Sequence, residues 1–303
     1  MKGNRDTIIR MRAIVYGWKK WRNNFKNWVQ VYYHQVVGRY PLIARTKNGE
    51  NIEVNGINEL FLIMRGVRDF RYIKPERKLC INYKGTVLCF YDTETNGDLL
   101  SIYYGEDYSF LMPEGEKVID IGANIGDSTI YFCVNGAKEV LAIEPFGASY
   151  NSLLKNVSIN GFQSKVKAIR AGISNVDGEV SIDKDLHGFT QTNLEKEIKM
   201  KGAEKVRIYT LEELFNFENV ESAVLKMDCE GCEYSSIIPA SRDTLRRIKR
   251  WAVEYHYDPD PLIKKFKSSG FSVEVKPSGG PSYNKSTKTA MTIGMIYAQL
   301  VEE

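Results

Sequence analysis

The chain has 303 residues, enough for a main domain and an extension, and its 43% hydrophobic and 26% charged residues are ordinary for a globular protein. No apolar run reaches the roughly 18 residues a membrane-spanning helix needs, and no apolar core with a small-residue cleavage site marks a secretory signal, so a cytoplasmic protein is expected. The net charge of +4 is uneven: residues 1–50 carry eleven Lys/Arg against Asp6 and Glu50, which points to an anionic partner, a membrane surface or an acidic face of the protein itself.

Residues 8–37 predict one or two amphipathic helices, because Ile14, Trp18, Trp21, Phe25, Trp28 and Tyr32 recur at steps of three and four. Such an aromatic face is expected to pack on the main domain or on a second subunit, giving a homodimer. Tryptophans beside Lys19, Lys20, Arg22 and Lys26 also suit a peripheral membrane contact. From Pro41 to Asp92 the pattern changes to short strand-like pieces with a helix over 57–67. Residues 1–99 therefore read as a helical and small α+β extension, and residues 100–303 as the main domain. Lys84-Gly85 reads as a two-residue hairpin turn, which sets Cys80 opposite Cys89 at a non-hydrogen-bonded pair close enough to bridge. Five cysteines without a secretion signal argue against an extracellular disulfide framework, so these two are expected to be reduced. The aromatic and acidic segment from Asp98 to Leu111 is expected to form a lid or a linker helix.

From Lys117 the chain alternates regularly. Strand 117–121 is followed by helix 128–134, strand 139–143, helix 148–159 closed by Gly161, strand 166–173 and a short strand over 179–182. Residues 187–204 read as a polar loop, and Thr210-Leu-Glu-Glu213 as a capping box that opens a helix. Strands 223–227 and 251–255, a helix from Asp260-Pro261 to Gly270, and strands 271–275 and 292–298 complete the chain. Alternating βα units ending in a strand pair predict an α/β fold with a doubly wound, Rossmann-like sheet.

Ligands bind such sheets at the carboxyl ends of the strands, near the switch in strand order. Five tips are expected to converge there: Gly122–Gly126, Glu144, Ala171–Gly172, Asp228–Glu233 and His256. The glycines at 122 and 126 stand four apart behind Asp120, unlike the dinucleotide spacing, at a strand-to-helix turn where backbone N–H groups can approach a ligand. Glu144 ends the second strand, and its carboxylate can accept both ribose hydroxyls of a nucleoside. Asp228, Glu230 and Glu233 concentrate negative charge after the fourth strand. Cys229-x-x-Cys232 has the spacing of a redox or metal half-site, but there is no second pair and the histidines are only His34, His187 and His256, so no metal is expected. His256 is the first candidate for a general base, since a strand-end imidazole titrates near neutral pH; the other reading is a hydrogen-bonded structural histidine. Asp228 or Glu230 is the second candidate.

Asp-Ile-Gly-Ala-Asn-Ile-Gly at 120–126, Glu144-Pro145, Lys226-x-Asp228-x-Glu230-Gly231-x-Glu233 and Glu254-Tyr-His256 together resemble the FkbM family of S-adenosylmethionine (SAM) methyltransferases over residues 100–300, in a Cys-rich form similar to archaeal members. The resemblance implies a seven-stranded class I methyltransferase sheet, SAM as donor, and O-methylation of a hydroxyl on a sugar, glycan or small metabolite. It also implies that Asp120, Gly122, Asn124 and Gly126 face the methionyl part of SAM, that Glu144 with Pro145 holds the ribose, that the Ala171–Gly172 turn lies near the adenine, and that Asp228 sits at the reactive end. The acid that usually takes the adenine amine is absent from Arg170-Ala-Gly-Ile-Ser174. One alternative is an RNA (tRNA) methyltransferase gripping phosphates with the basic N-terminal arm, although carboxylates at 228–233 would repel phosphate, so nucleic acid is not the expected partner. The other is a SAM-binding or membrane-docking module without catalysis.

Overall fold

The computed structural model describes residues 19–93, 98–183, 203–278, 282–284 and 289–301. Ile14, Trp18 and His187, with most of the expected loop at 187–204, lie outside the described residues. The chain divides into two units: residues 1–105 with 280–291, and residues 106–279 with 292–303. No helix among the described residues is long and apolar enough to cross a membrane.

The first unit begins with Trp21 and Phe25, both buried, and helix α1 (Trp28–Val37), which Gly38 ends in the left-handed conformation. The antiparallel pair β1 (Leu42–Arg45) and β2 (Asn51–Val54) and helix α2 (Ile57–Met64) close a core of Trp21, Phe25, Val31, Leu42, Leu60 and Ile63, with Trp28 and Tyr32 packed against it. In the described part, the aromatic stripe faces this unit's own core. Strands β3 (Phe70–Ile73), β4 (Lys78–Tyr83) and β5 (Thr86–Tyr91) form an antiparallel sheet, followed by helix α3 (Leu99–Tyr103). Lys84 and Gly85, at φ +50° and +83°, make the tight β4–β5 turn. That register sets Cys80 directly opposite Cys89 with Cα atoms 4.0 Å apart, and the two are disulfide-bonded rather than reduced as expected.

The second unit contains the long sheet. In chain order its elements are β6 (Lys117–Ile121), α4 (Asp127–Val134), β7 (Glu139–Ile143), α5 (Gly147–Ile159), β8 (Val166–Ile169), β9 (Ala171–Ile173), β10 (Gly178–Asp183), β11 (Ala203–Tyr209), α6 (Leu211–Phe217), β12 (Ala223–Met227), α7 (Cys232–Ile237), α8 (Arg242–Arg246), β13 (Ile248–Tyr255), α9 (Asp260–Ser268) and β14 (Phe271–Pro277). The hairpin β15 (Ser282–Asn284) and β16 (Thr289–Met291) groups with the first unit, and β17 (Gly294–Leu300) returns to the second. Seven strands pair in the order β14-β17-β13-β12-β6-β7-β8; β6, β7, β8, β12 and β13 are mutually parallel, and β17 runs antiparallel between β13 and β14. Numbered along the chain, the order is 3-2-1-4-5-7-6, and it reverses between β6 and β12. Every residue of β12 is buried, as a parallel strand covered on both faces requires.

The expected strand over 166–173 is two strands in two sheets. Arg170 stands between them: its guanidinium pairs with Glu204 and donates to the Pro145 carbonyl at 3.4 Å. Residues 171–173 are therefore not a turn but a strand, paired in parallel with β11, whose other edge takes β10. β11 was expected to be loop and unassigned chain; its alternation of buried Val206 and Ile208 with exposed Lys205 and Arg207 is a strand pattern. The capping box is present: the Thr210 side chain accepts the Glu213 N–H at 3.2 Å, and the Thr210 N–H reaches the Glu213 carboxylate at 3.1 Å.

Candidate functional site

The reversal between β6 and β12 opens the carboxyl edge of the sheet, and two loops meet there. Gly122 has φ +75°, and a Cβ on it would stand 1.7 Å from the carbonyl oxygen of Asp228. Only glycine permits both that conformation and so close an approach. The Asp228 N–H donates to the Ile121 carbonyl at 3.1 Å, and the Gly122 and Ala123 N–H groups donate to the Ile143 carbonyl, each at 3.0 Å, so the loops after β6 and β12 and the end of β7 are tied together.

Lys226 and Asp120 form the foundation beneath the glycine loop. The Lys226 ammonium lies 3.2 Å from Asp120 Oδ1 and donates to the Gly122 carbonyl at 2.6 Å, while the Ser128 and Thr129 hydroxyls donate to Asp120 Oδ2 at 2.8 and 2.6 Å. Burial works against the Lys226 charge, but Asp120, then Asp228 and Asp127, outweigh it and raise its pKa above the usual lysine value. The Asp120 carboxylate is thus engaged inside the fold, where it anchors the loop. Lys226 was quoted in the sequence motif without a role; a lysine inside an otherwise apolar parallel strand was the signal, since such a charge needs a buried partner.

Glu144, also buried, clasps the same loop from β7. Its Oε2 accepts the Asn124 N–H at 2.8 Å and its Oε1 the Phe146 N–H at 2.9 Å. Burial pushes its carboxyl up to about 7, against the pull of those two amides and of Lys226. Pro145 follows it and receives Arg170. Gly126, at φ +87°, closes the loop against Leu153. Asn124, at φ +47°, carries a buried Oδ1 with no hydrogen-bond partner. Ala171 and Gly172 are buried in β9. Within the Asp98–Leu111 segment, Tyr108 is core: it packs on Phe132 and lies over Lys226.

His256, just beyond β13 and 2% exposed, sits among four carboxylates. Its Nε2 faces Glu230 Oε2 at 3.4 Å, Asp228 Oδ1 at 3.8 Å and Glu254 Oε2 at 4.0 Å, and its Nδ1 faces Glu233 Oε1 at 3.4 Å. Burial alone would lower its pKa; Glu233, then Asp228 and Glu230, override that and raise it to about 10. Glu233 Oε1 also accepts the Cys229 N–H at 3.0 Å, and Cys229 is disulfide-bonded to Cys232. The structure therefore brings Asp228, Glu230 and His256 into one cluster and adds Glu254, which had no assigned role. The signal for Glu254 was its i, i+2 spacing from His256 at a strand end, which puts both on one face.

A cavity of about 380 Å³ lined by Lys117, Glu139, Lys167 and Glu218 lies at the opposite, amino ends of β6, β7 and β8. Four of its charges are matched in pairs, Lys117 with Glu139 at 3.1 Å and Lys167 with Glu218 at 2.7 Å, the Lys165 ammonium donates to the Ala137 carbonyl at 3.3 Å, and the cavity is away from the convergent strand tips.

A 3-2-1-4-5-7-6 sheet with an antiparallel seventh strand and a glycine loop over its first strand defines a class I methyltransferase. Residues 120–273 match the methyltransferase FkbM domain, and the chain belongs to that family. No curated protein matches the chain at a significant level. Among solved structures, a precorrin-6y C5,15-methyltransferase from Geobacter metallireducens is 13% identical, with 66% of this chain and 88% of that one covered and a TM-score of 0.39. The precorrin 8w decarboxylase of Methanobacterium thermoautotrophicum is 14% identical over 63% and 86%, at a TM-score of 0.37. The METTL16 methyltransferase domain is 15% identical over 68% of each chain, at 0.41.

Proposed function

We propose that this methyltransferase uses SAM to O-methylate a hydroxyl on a sugar, glycan or small metabolite. The convergence of the glycine loop, Glu144 and the Asp228–Glu230–His256 cluster on one edge of the sheet carries the reading. The residues fit the cofactor. Asn124 Oδ1 is a buried acceptor without a donor and suits an ammonium, and each Glu144 oxygen, having accepted one backbone N–H, keeps acceptor capacity for a ribose hydroxyl. The carboxylates of Asp228 and Glu230 suit a cationic sulfur centre. When bound, SAM supplies a methyl group on a sulfonium, already activated for in-line displacement.

The protein's own task is then positioning and proton removal. At neutral pH the surrounding carboxylates hold His256 protonated, so the proton of an acceptor hydroxyl passes to a carboxylate on the rim of the cluster, and we assign Asp228 that part. Hydroxyl groups donate hydrogen bonds to carboxylates, whereas phosphates are repelled by them, which favours a neutral polyol acceptor over RNA. The test is transfer of label from radiolabelled SAM to a panel of sugars, glycans and fractionated cell extract, with Asp228→Asn alongside. Alkali-stable label on a hydroxyl compound, lost in the variant, supports the reading. Label confined to RNA, or transfer by Asp228→Asn at the wild-type rate, overturns it.

A further inference from the structure

A helix at a protein surface ordinarily turns charged side chains to water, and α1 does not. None of its ten residues, Trp28–Val37, is Asp, Glu, Lys or Arg. Val31 is buried in the first unit's core, with Trp28 and Tyr32 packed against it, so one face is accounted for. The opposite face carries Val29, Tyr33, Val36 and Val37, which follow one another at helical spacing and are 60%, 53%, 53% and 43% exposed. The described aromatic residues of the stripe turn inward, and the face left outside is a different one, also apolar. Asn27, just before the helix, extends it. Its Nδ2 donates to the Ile43 carbonyl at 2.7 Å and its Oδ1 accepts the Arg45 N–H at 2.8 Å, which brings β1, whose exposed residues are Ile43 and Arg45, to the start of α1.

The surrounding charge has one sign. Residues 19–49 hold seven Lys/Arg and no Asp or Glu. Lys26 stands two residues before α1 and Arg39 two after it, both exposed. The acids that follow, Glu50 and Glu53, are paired with Arg68 at 2.9 Å and Lys74 at 2.6 Å. An exposed apolar patch marks a contact surface, and cations at both of its ends select a partner that is oily within and anionic at its surface.

We infer that α1 docks the chain on a bilayer of anionic lipids. Val29, Tyr33, Val36 and Val37 enter the boundary between headgroups and acyl chains, with the Tyr33 hydroxyl on the wet side, and Lys26, Arg39 and Arg45 meet the headgroups. RNA would use the cations but leave the valines in water, and a second copy would cover the valines but bring like charges together. A stripe spanning about 12 Å of helix gives weak, reversible and salt-sensitive attachment. This docking is independent of the O-methylation reading.

The test is flotation of the full chain with vesicles of mixed phosphatidylglycerol and phosphatidylcholine, against vesicles of phosphatidylcholine alone. Binding is expected on the mixed vesicles only, and it is expected to fall as NaCl is raised. Val29→Glu with Tyr33→Glu, at exposed positions where circular dichroism reports an intact fold, is expected to weaken partitioning at least tenfold. Where that pair fails to fold, Val29→Gln with Tyr33→Gln serves instead. Lys26→Gln and Arg39→Gln are expected to weaken it about fivefold for each charge removed. Val87→Glu, 66% exposed on the β4–β5 hairpin, is expected to bind as wild type. Failure to float with the mixed vesicles, or equal flotation of a folded α1 variant and wild type, overturns the docking. So does binding that ignores headgroup charge and salt. Without vesicle binding, dimerisation lost in Val29→Glu/Tyr33→Glu would give the face to a second copy, and RNA binding retained in that variant would give the cations to nucleic acid; either result also overturns it.

Discussion

Gly122→Ala tests the interlock on which the site depends. The new Cβ would lie 1.7 Å from the Asp228 carbonyl oxygen and 2.7 Å from its carbon, both backbone atoms. Ordinary contact is about 3.5 Å, so the loops after β6 and β12 must separate by roughly 1.5–2 Å. Alanine at φ +75° costs about 1–2 kcal/mol, and overpacking adds about 1–3 kcal/mol. The two costs together come to about 2–5 kcal/mol. At ~2–4 °C per kcal/mol for a unit of this size, melting temperature falls by at least ~4–8 °C. Gly161→Ala is the control: its φ is +77°, but nothing lies within 4 Å, so only the conformational cost of about 1–2 kcal/mol remains. Thermal melts of the two variants, with SAM titration at a temperature where both are folded, decide the matter. Gly122→Ala is expected to be both the less stable and the weaker binder. A melting temperature no lower than that of Gly161→Ala would refute the claim that the two loops are in enforced backbone contact.

Lys226→Met leaves Asp120 buried and uncompensated and is expected to cost about 3–5 kcal/mol by chemical denaturation, whereas adding Asp120→Asn recovers part of the loss; strictly additive effects would disprove the coupling. The Glu144 carboxyl, raised to about 7 from 4.5, contributes stability that is complete below about pH 4.5 and lost as pH rises through 7. Its ionised form is the better acceptor for hydroxyls, so SAM affinity is expected to rise between pH 6 and 8; calorimetry on Glu144→Gln showing the same slope would remove this residue from the cofactor site. Thr210→Ala deletes the hydroxyl's bonds with the Glu213 N–H and carboxylate, leaves the Thr210 N–H bond in place, and is expected to lower stability by about 1 kcal/mol, read as a melting shift of ~2–4 °C.

The parallel core was legible because its physics is local. The run Glu139–Ile143 and the run Ala223–Met227 are apolar, short and bounded by breakers, and both strands have the expected ends. Cys80 and Cys89 face each other because Lys84-Gly85 fixes the hairpin register, although their redox state did not follow from the chain. The strand at 166–173 was misread because its apolar residues continue across Arg170, and only the pairing partners, β7 for 166–169 and β11 for 171–173, show that the chain changes sheets there. β11 was missed for a related reason: a strand whose outer positions are Lys205 and Arg207 looks like polar loop until the alternation is counted. At the site, the residue types at 120, 144, 228, 230 and 256 announced a charged pocket. Which carboxylate meets which cation was settled by pairing across strands, which the linear order does not contain.

That pairing sorts the acids of the strand tips into two kinds. Asp120 is held by a lysine 3.2 Å from Oδ1 and by two hydroxyls on Oδ2, all inside the fold. Removing its charge together with that of Lys226 would leave the pocket's composition unchanged, so its role is to hold the glycine loop where it is. Asp228, Glu230 and Glu254 face one imidazole nitrogen at 3.4–4.0 Å from the partly exposed rim of the site. Acids held inside the fold position the loop, whereas acids left on the rim keep lone pairs for what binds there, the division expected at a strand-tip site.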